Sequence, residues 1–319
     1  MLDPNKVVSV IAVYNDQNRI ARAIQSAARS VMPDGLSHEV IVVDDASSDD
    51  TLAVAKRAAS ELSNVRVLQM AENGGPANAR NFALCATDAA WYTPIDSDDF
   101  VEQNRLATLY RIAQNTQAAV VADNLLITDD QAPEEVQRVL WPGKPDGQID
   151  LTAELFIRHC YNTDLPRSEL GFLKPLIDRR SIDRALEPYQ TGVRFGEDYE
   201  LYCRLLLDGA DAVLVDPLGY YAVQRNSSAS HTQDADDHRR LVAVNTAFLQ
   251  RTGLDPKVRS ALQGFLAFSR REWAMWTVIN AVRSRRPLHL LSAFSISVDS
   301  SLYVLRRIFA SGMKRLSSG

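Results

Sequence analysis

Five short stretches of the chain combine residue types that can do chemistry. The first is Asp96-Ser97-Asp98-Asp99, which follows an apolar run. Two carboxylates spaced i, i+2 at a strand end can aim oxygens at one ion or at two parts of one ligand. Oxygen donors suit Mg²⁺ or Mn²⁺, which often bridge protein carboxylates to diphosphates. The same residues can also form a capping turn, because Asp and Ser favour helix starts and Glu102 to Ala113 has helical spacing. The second stretch is VVDDASSDDT, Val42 to Thr51. A carboxylate there can accept a hydrogen bond from a base N–H or a ribose hydroxyl, while Asp49 or Asp50 can cap the following helix.

The third stretch, ENGGPANARN from Glu72 to Asn81, is a glycine turn before a helix. Glycines let backbone approach a ligand closely, and a helix start favours anions. Arg80 can pair with phosphates or stand as an ordinary helical arginine. The pattern is neither a P-loop nor G-x-G-x-x-G, which argues against ATPase and dinucleotide readings. The fourth, FGEDYEL from Phe195 to Leu201, sets an acidic pair at a helix start. Asp198 there can be a general base or a cap. The fifth, Tyr220 to His231, ends in a polar loop whose histidine can be a metal ligand, a diphosphate contact or a surface residue.

Positioning these groups requires regular elements. Val7 to Val13, Val40 to Val43, Val65 to Met70 and Ala90 to Ile95 read as buried strands. Between them lie helical spacings: Arg19 to Ser30 with Ile20, Ala23, Ile24 and Ala27 on one face, Thr51 to Leu62 with Leu52, Ala55 and Ala59, and Asn78 to Cys85. Such alternation predicts an α/β fold with a mostly parallel central sheet flanked by helices. Ligands on these sheets sit beyond the carboxyl ends of the strands. Tyr14-Asn15, Asp44-Asp45 and Asp96-Ser97-Asp98 all fall at those ends. Farther on, Gln131 to Asp150 reads as a long loop, Gly171 to Ile177 as a strand and Asp198 to Leu207 as a helix with Leu201, Leu205 and Tyr202 facing the core. Ala212 to Val215 and Gly219 to Val223 read as strands, and from about Leu241 the chain is mostly helical.

The bulk composition suits a globular enzyme, and the net charge of -5 argues against general nucleic-acid binding. The charge is uneven. From Pro256 onward there are 11 Lys and Arg against two acids, Glu272 and Asp299, so this tail is +9 and residues 1–255 are -14. Cys85, Cys160 and Cys203 lack disulfide or zinc spacing and read as buried thiols in a reducing cytoplasm. The first residues carry no secretion signal, and no run reaches the roughly 18 apolar residues of a membrane span.

Taken together, SVIAVYN (Ser9 to Asn15), VVDDASSDDT, NGGPANARN (Asn73 to Asn81), DSDD (Asp96 to Asp99) and GEDYEL (Gly196 to Leu201) resemble family two glycosyltransferases, inverting enzymes of the GT-A fold. The resemblance runs from residue 7 to about 231. It is strongest toward bacterial exopolysaccharide transferases of the succinoglycan type, an impression to which GFLKPLI (Gly171 to Ile177) and SSASH (Ser227 to His231) add. It implies a GT-A catalytic domain over residues 1–240, with a nucleotide-binding half near 1–100 and an acceptor half near 101–240. A basic helical extension over 241–319 would follow.

The same resemblance implies roles. Tyr14 and Asp45 would contact uracil, Asp45 at N3–H; Arg80 would approach the nucleotide or diphosphate; Asp96 would contact ribose or support the metal. Asp98 would hold Mn²⁺ or Mg²⁺, and His231 would be a further metal or phosphate ligand. Asp198 would be the base, with Glu197 shaping the acceptor site. Ala12 stands where Thr or Ser is common, so a hydroxyl contact is missing there. The implied donor is a UDP-sugar, UDP-glucose first, and the implied acceptor is a growing, polyprenyl-linked exopolysaccharide or other cell-surface glycan.

Two rival readings differ in class. A nucleotidyltransferase would need a glycine- and lysine-rich activation loop near the N-terminus, which the sequence lacks. An inactive transferase-like subunit of a polysaccharide assembly complex would have no need of Asp45, Asp98 and Asp198 together. In the tail, Arg270-Arg271, Arg283, Arg285-Arg286, Arg306-Arg307 and Lys314-Arg315 recur among apolar helical stretches, with Trp273 and Trp276 between the first groups. This pattern suits a peripheral contact with the inner face of the cytoplasmic membrane, or ordinary helix packing.

Overall fold

The computed structural model describes residues 1–161, 168–182, 187–224, 234–284 and 289–316. The chain divides into two compact units, residues 1–225 and 226–319.

The first unit opens with β1 (Asp3–Val13), α1 (Ile20–Ala28), β2 (Ser37–Asp44), α2 (Thr51–Ala59), β3 (Val65–Gln69), α3 (Pro76–Cys85) and β4 (Ala89–Asp96). The apolar run in β1 is continuous because the strand lies between two parallel neighbours: Val7, Val8, Val10 and Ile11 have no exposed surface. Each such side chain contributes about 1.5–3 kcal/mol through burial. Helix α1 buries the four residues its spacing predicted, Ile20, Ala23, Ile24 and Ala27. In α2 only Ala55 of the expected trio is fully buried; Leu52 and Ala59 are half-buried. Helix α3 begins two residues before the expected Asn78, because Pro76 supplies a φ already suited to the first helical turn.

Next come β5 (Phe100–Val101), α4 (Arg105–Thr116), β6 (Val120–Asp123), β7 (Leu126–Asp129), β8 (Arg138–Val139), β9 (Ile149–Asp150) and α5 (Ala153–Tyr161). They are followed by β10 (Leu176–Asp178), α6 (Glu197–Leu207), β11 (Ala212–Val215) and β12 (Tyr220–Gln224). The large sheet has the order β3-β2-β1-β4-β10-β6-β11-β9. It is parallel except at β10, which runs against β4 and β6, and at β9, which runs against β11. A second sheet has the order β5-β12-β7-β8. Leu106 and Leu109 of α4 close a core with Val7, Trp91, Val121 and Leu176 of the large sheet.

Three expectations need correction. Gly171 to Ile177 is not one strand: Leu170–Phe172 is a 3₁₀ turn, and the strand starts only after Pro175, which lacks the N–H a ladder needs. The stretch from Gln131 to Asp150 is not a plain loop, since it contributes β8 and β9 to the two sheets. Helix α4 starts at Arg105 rather than Glu102, because Phe100 and Val101 are held extended against β12.

The second unit comprises α7 (Ala235–Leu249), α8 (Pro256–Arg283), α9 (His289–Phe294) and α10 (Val298–Leu316). Asp234 starts α7 with a capping box, accepting the amides of Asp236 and Asp237 while Asp237 accepts its own. Trp273 and Trp276 are half-buried, and Trp276 stacks near His238, 6.5 Å between ring centroids. No helix among the described residues is long and apolar enough to cross a membrane. The three cysteines are thiols, but only Cys203 is buried as expected; Cys85, at the last turn of α3, is exposed.

Candidate active site

The parallel register brings the polar strand ends to one edge: Val13 pairs with Asp44, and Ala12 with Asp96. The loops beyond are stitched together. Asn15, in the left-handed region at φ +50°, accepts the Ser48 amide on its side chain and donates its own amide to Ser47. The Tyr14 ring beside it is exposed. Asp44 is fully buried and accepts the Ser47 amide.

Asp45 has a different task. Its Oδ1 accepts the Gly74 amide at 2.8 Å and its Oδ2 the Gly75 amide at 2.7 Å. Gly75 sits at φ +84°, a conformation that side chains rarely tolerate. Asp45 therefore fixes the turn from which α3 starts, and α3 carries Arg80. Asp50 stands at the cap position of α2 without a side-chain cap hydrogen bond, and Asp49 Oδ1 before it accepts the Thr51 amide.

Arg80 is the hub of a buried charge cluster. Its guanidinium lies 2.8 Å from Glu197 Oε1, 3.0 Å from Asp96 Oδ1 and 3.4 Å from Asp198 Oδ1. Lys174 completes the group, with Nζ 3.0 Å from Asp96 Oδ2 and 2.8 Å from Asp198 Oδ2. Two cations and three acids meet here, all but Asp96 with side chains at most 12% exposed. Burial pushes the Asp96 carboxyl upward, but Lys174 and Arg80 more than reverse this and hold it below the usual range. Burial likewise works against the Lys174 ammonium, yet Asp198 and Asp96 keep it above the ordinary lysine value. Glu197 is raised, first by burial and also by Asp198, against the pull of Arg80.

Neither acidic motif caps a helix in the way its sequence allowed. Helix α6 is capped at Gly196, so Asp198 lies within the first turn and reaches Lys174 instead. The Asp96 turn precedes α4 by several residues and is held by tertiary contacts. Ser97 donates to Asp16, Arg22 donates to the Asp98 carbonyl, and the Tyr220 hydroxyl accepts the Asp96 amide at 3.1 Å and donates to Asp99 at 2.8 Å. Asp99 is structural. Burial, then repulsion from Asp98 and Asp96, raises its carboxyl well above the usual range.

A divalent ion is compatible with this edge in a specific way. Asp96 has both oxygens committed to Arg80 and Lys174, and no group of three or more potential metal ligands gathers among the described residues. Asp98, half-buried at the same turn, is a carboxylate that could hold such an ion. One carboxylate plus diphosphate oxygens and water is an ordinary ligand set for Mg²⁺.

Comparison with known proteins agrees with this architecture. The sequence model described as glycosyl transferase family 2 matches residues 9–167. The succinoglycan biosynthesis protein ExoU of Rhizobium meliloti is 33% identical over 262 residues, 82% of this chain and 74% of that protein. The chain belongs to glycosyl transferase family 2. Its fold is GT-A. It is similar to the crystal structure of S. aureus TarS 1-349 in complex with UDP, at TM-score 0.67 and 19% identity over 96% of this chain and 92% of that one. It is also similar to the mannosyltransferase PcManGT of Pyrobaculum calidifontis in complex with GDP-Man and Mn²⁺, at TM-score 0.56 and 17% identity over 99% and 89% of the two chains.

In this glycosyltransferase Arg80, Asp96, Glu197 and Asp198 come together directly. Asp45 joins them through the turn before α3, and Tyr14 and Asp98 lie on the same sheet edge. His231 lies outside the described residues. Lys174 was missed as a site residue. The signal was a single lysine inside the apolar run from Leu170 to Ile177.

Proposed function

We propose that this protein is an inverting, metal-dependent hexosyltransferase that moves a sugar from a UDP-sugar, UDP-glucose first, to a growing lipid-linked exopolysaccharide. The observation that carries the reading is the state of Asp198. Lys174 holds its Oδ2, while its Oδ1 makes no hydrogen bond. A carboxylate oriented by a hydrogen bond to one oxygen, with the other accepting none and lying 3.4 Å from Arg80, suits a base that takes an acceptor hydroxyl proton.

In that reaction the acceptor oxygen attacks C1 of the sugar, and Asp198 Oδ1 takes its proton. The bond from C1 to the diphosphate breaks, and UDP leaves with the electron pair. Attack opposite the leaving group inverts C1. Asp45 and Tyr14 orient the uracil, Asp96 meets the ribose, Arg80 lends charge near the diphosphate, and Glu197 shapes the acceptor side. Bound at Asp98, with His231 a further candidate ligand, Mn²⁺ or Mg²⁺ would stabilise the charge that develops on the departing diphosphate. ExoU's name supports a place in exopolysaccharide synthesis. The UDP complex of TarS and the Mn²⁺ complex of PcManGT support the donor and the metal.

A lipid-linked acceptor is met at a membrane surface, and α10 suits that setting. Val298, Leu302 and Leu305 are 80%, 50% and 41% exposed, a large apolar stripe beside exposed Arg306 and Arg307. The reading therefore includes peripheral contact at the inner face of the cytoplasmic membrane through this helix.

The test is turnover of a panel of nucleotide-sugars, with and without manganese, by the full chain and by Asp198→Asn. UDP release from one or a few UDP-sugars, stimulated by the metal, is expected. Asp198→Asn should lose a factor of about 10²–10⁴ in kcat while binding UDP normally. Absence of release from every donor overturns the enzymatic reading; normal turnover by Asp198→Asn overturns the base.

A further inference from the structure

We propose that Lys174 is a positioning residue that sets the base Asp198 against the donor-side carboxylate Asp96. The inference rests on the transferase reading of the cluster. Arg80 and Lys174 each touch both carboxylates. Asp96 meets Arg80 through Oδ1 and Lys174 through Oδ2, and Asp198 does the same. The four side chains thus close a ring of alternating charge.

The two cations are not equivalent toward the base. Arg80 stands 3.4 Å from Asp198 and makes no hydrogen bond to it, whereas Lys174 donates at 2.8 Å. Within the ring, Lys174 is therefore the donor that orients the base.

The lysine is itself held from behind. Its carbonyl accepts from Arg105 at 2.6 Å, and Arg105 is locked by the fully buried Asp123. The carbonyl of Leu173 accepts from the Tyr202 hydroxyl at 3.0 Å. Leu173, Pro175 and Leu176 surround it in sequence and are all buried. A lysine withdrawn from water is costly unless paired. One carboxylate would suffice for pairing; Lys174 instead spans a strand-end acid of the donor edge and an acid on α6. That span fixes the distance between the donor side and the base, on which the rate of a bimolecular transfer depends steeply.

The experiment is a double-mutant cycle on the full-length enzyme, with Lys174→Met, Asp198→Asn and the pair of substitutions. The readouts are kcat and KM for the UDP-sugar that the wild type turns over, UDP affinity by calorimetry, and thermal melting. Lys174→Met should lower kcat roughly 10- to 100-fold, the scale of a misplaced catalytic group, while KM and UDP affinity stay within about threefold. In the Asp198→Asn background it should cost nothing further, because residues acting as one unit are not additive. If Lys174→Met does not fold, Lys174→Gln, which keeps a neutral donor, carries the same cycle.

Wild-type kcat in the lysine variant, with Asp198→Asn slow, overturns the role of Lys174 and leaves the base intact. An equal further loss in the Asp198→Asn background also overturns it. Wild-type kcat in Asp198→Asn itself removes the underlying base assignment instead.

Discussion

The Gly75 amide donates to Asp45 Oδ2 at 2.7 Å, so the second strand end holds the turn from which the third helix starts. Asp45 is therefore doubly placed: it lies at the strand-end edge where we propose the nucleotide binds, and it fixes the turn that leads to Arg80. Replacing it with alanine leaves two amides of that turn without their acceptor, a loss of about 1–3 kcal/mol for each group that stays buried. Asp45→Ala should weaken UDP binding at least about tenfold and lower the melting temperature together. Calorimetric titration and a melting curve check both; unchanged affinity would remove Asp45 from the nucleotide site.

Asp98 should behave differently. If Asp98 holds the ion as proposed, Asp98→Ala should bind UDP equally with and without manganese. In the wild type, chelation should reduce affinity to the same level. A variant whose manganese dependence matches the wild type would count against Asp98 as the ligand.

His238 gives the second unit its own pH response. Burial pushes its imidazole from the ordinary 6.5 to about 4. Between those values the unfolded chain binds a proton that the folded one refuses, so stability is complete above pH 6.5 and falls as pH drops toward 4. The full effect is about 3 kcal/mol, at roughly 1.4 kcal/mol for each pH unit between the two values. Urea unfolding at pH 7 and 4.5 should show most of this loss in the wild type, and a smaller total loss in His238→Phe, which keeps a ring near Trp276; His38, which burial also holds at about 4, contributes equally to both proteins. An equal loss in the two proteins would refute it.

The stripe on α10 can be tested on vesicles. Burying a leucine side chain is worth about 1.5–3 kcal/mol, so Leu302→Ser with Leu305→Ser should cut partitioning tenfold or more. Wild-type protein should sediment with vesicles containing phosphatidylglycerol and much less with pure phosphatidylcholine. Equal behaviour of the two proteins, or no sedimentation of either, would take the membrane out of the reading.

Much of the fold was legible because its signals are local. The run from Val7 to Val13 announced a strand buried on both faces, and Ile20, Ala23, Ile24 and Ala27 announced the helix that covers it. The carboxylates at the strand ends were legible for the same reason, since a parallel sheet gathers such ends at one edge. What the sequence hid is tertiary. Lys174 draws its meaning from Asp96 and Asp198, which are 78 and 24 residues away in the chain. Strand β10 starts only after Pro175, and it runs backward within a parallel sheet, which no periodicity encodes. The capping potential of Asp198 was real chemistry that a stronger partner, Lys174, claimed.

The ring of Arg80, Asp96, Lys174 and Asp198 has one more consequence, for anyone trying to improve the protein. Ionic groups removed from water are seldom the most stable filling for a protein interior, and well-packed apolar side chains of similar volume often do better. Selection for heat tolerance alone would therefore tend to replace these four residues together, and a library screened only for folding would enrich proteins that melt later and transfer nothing.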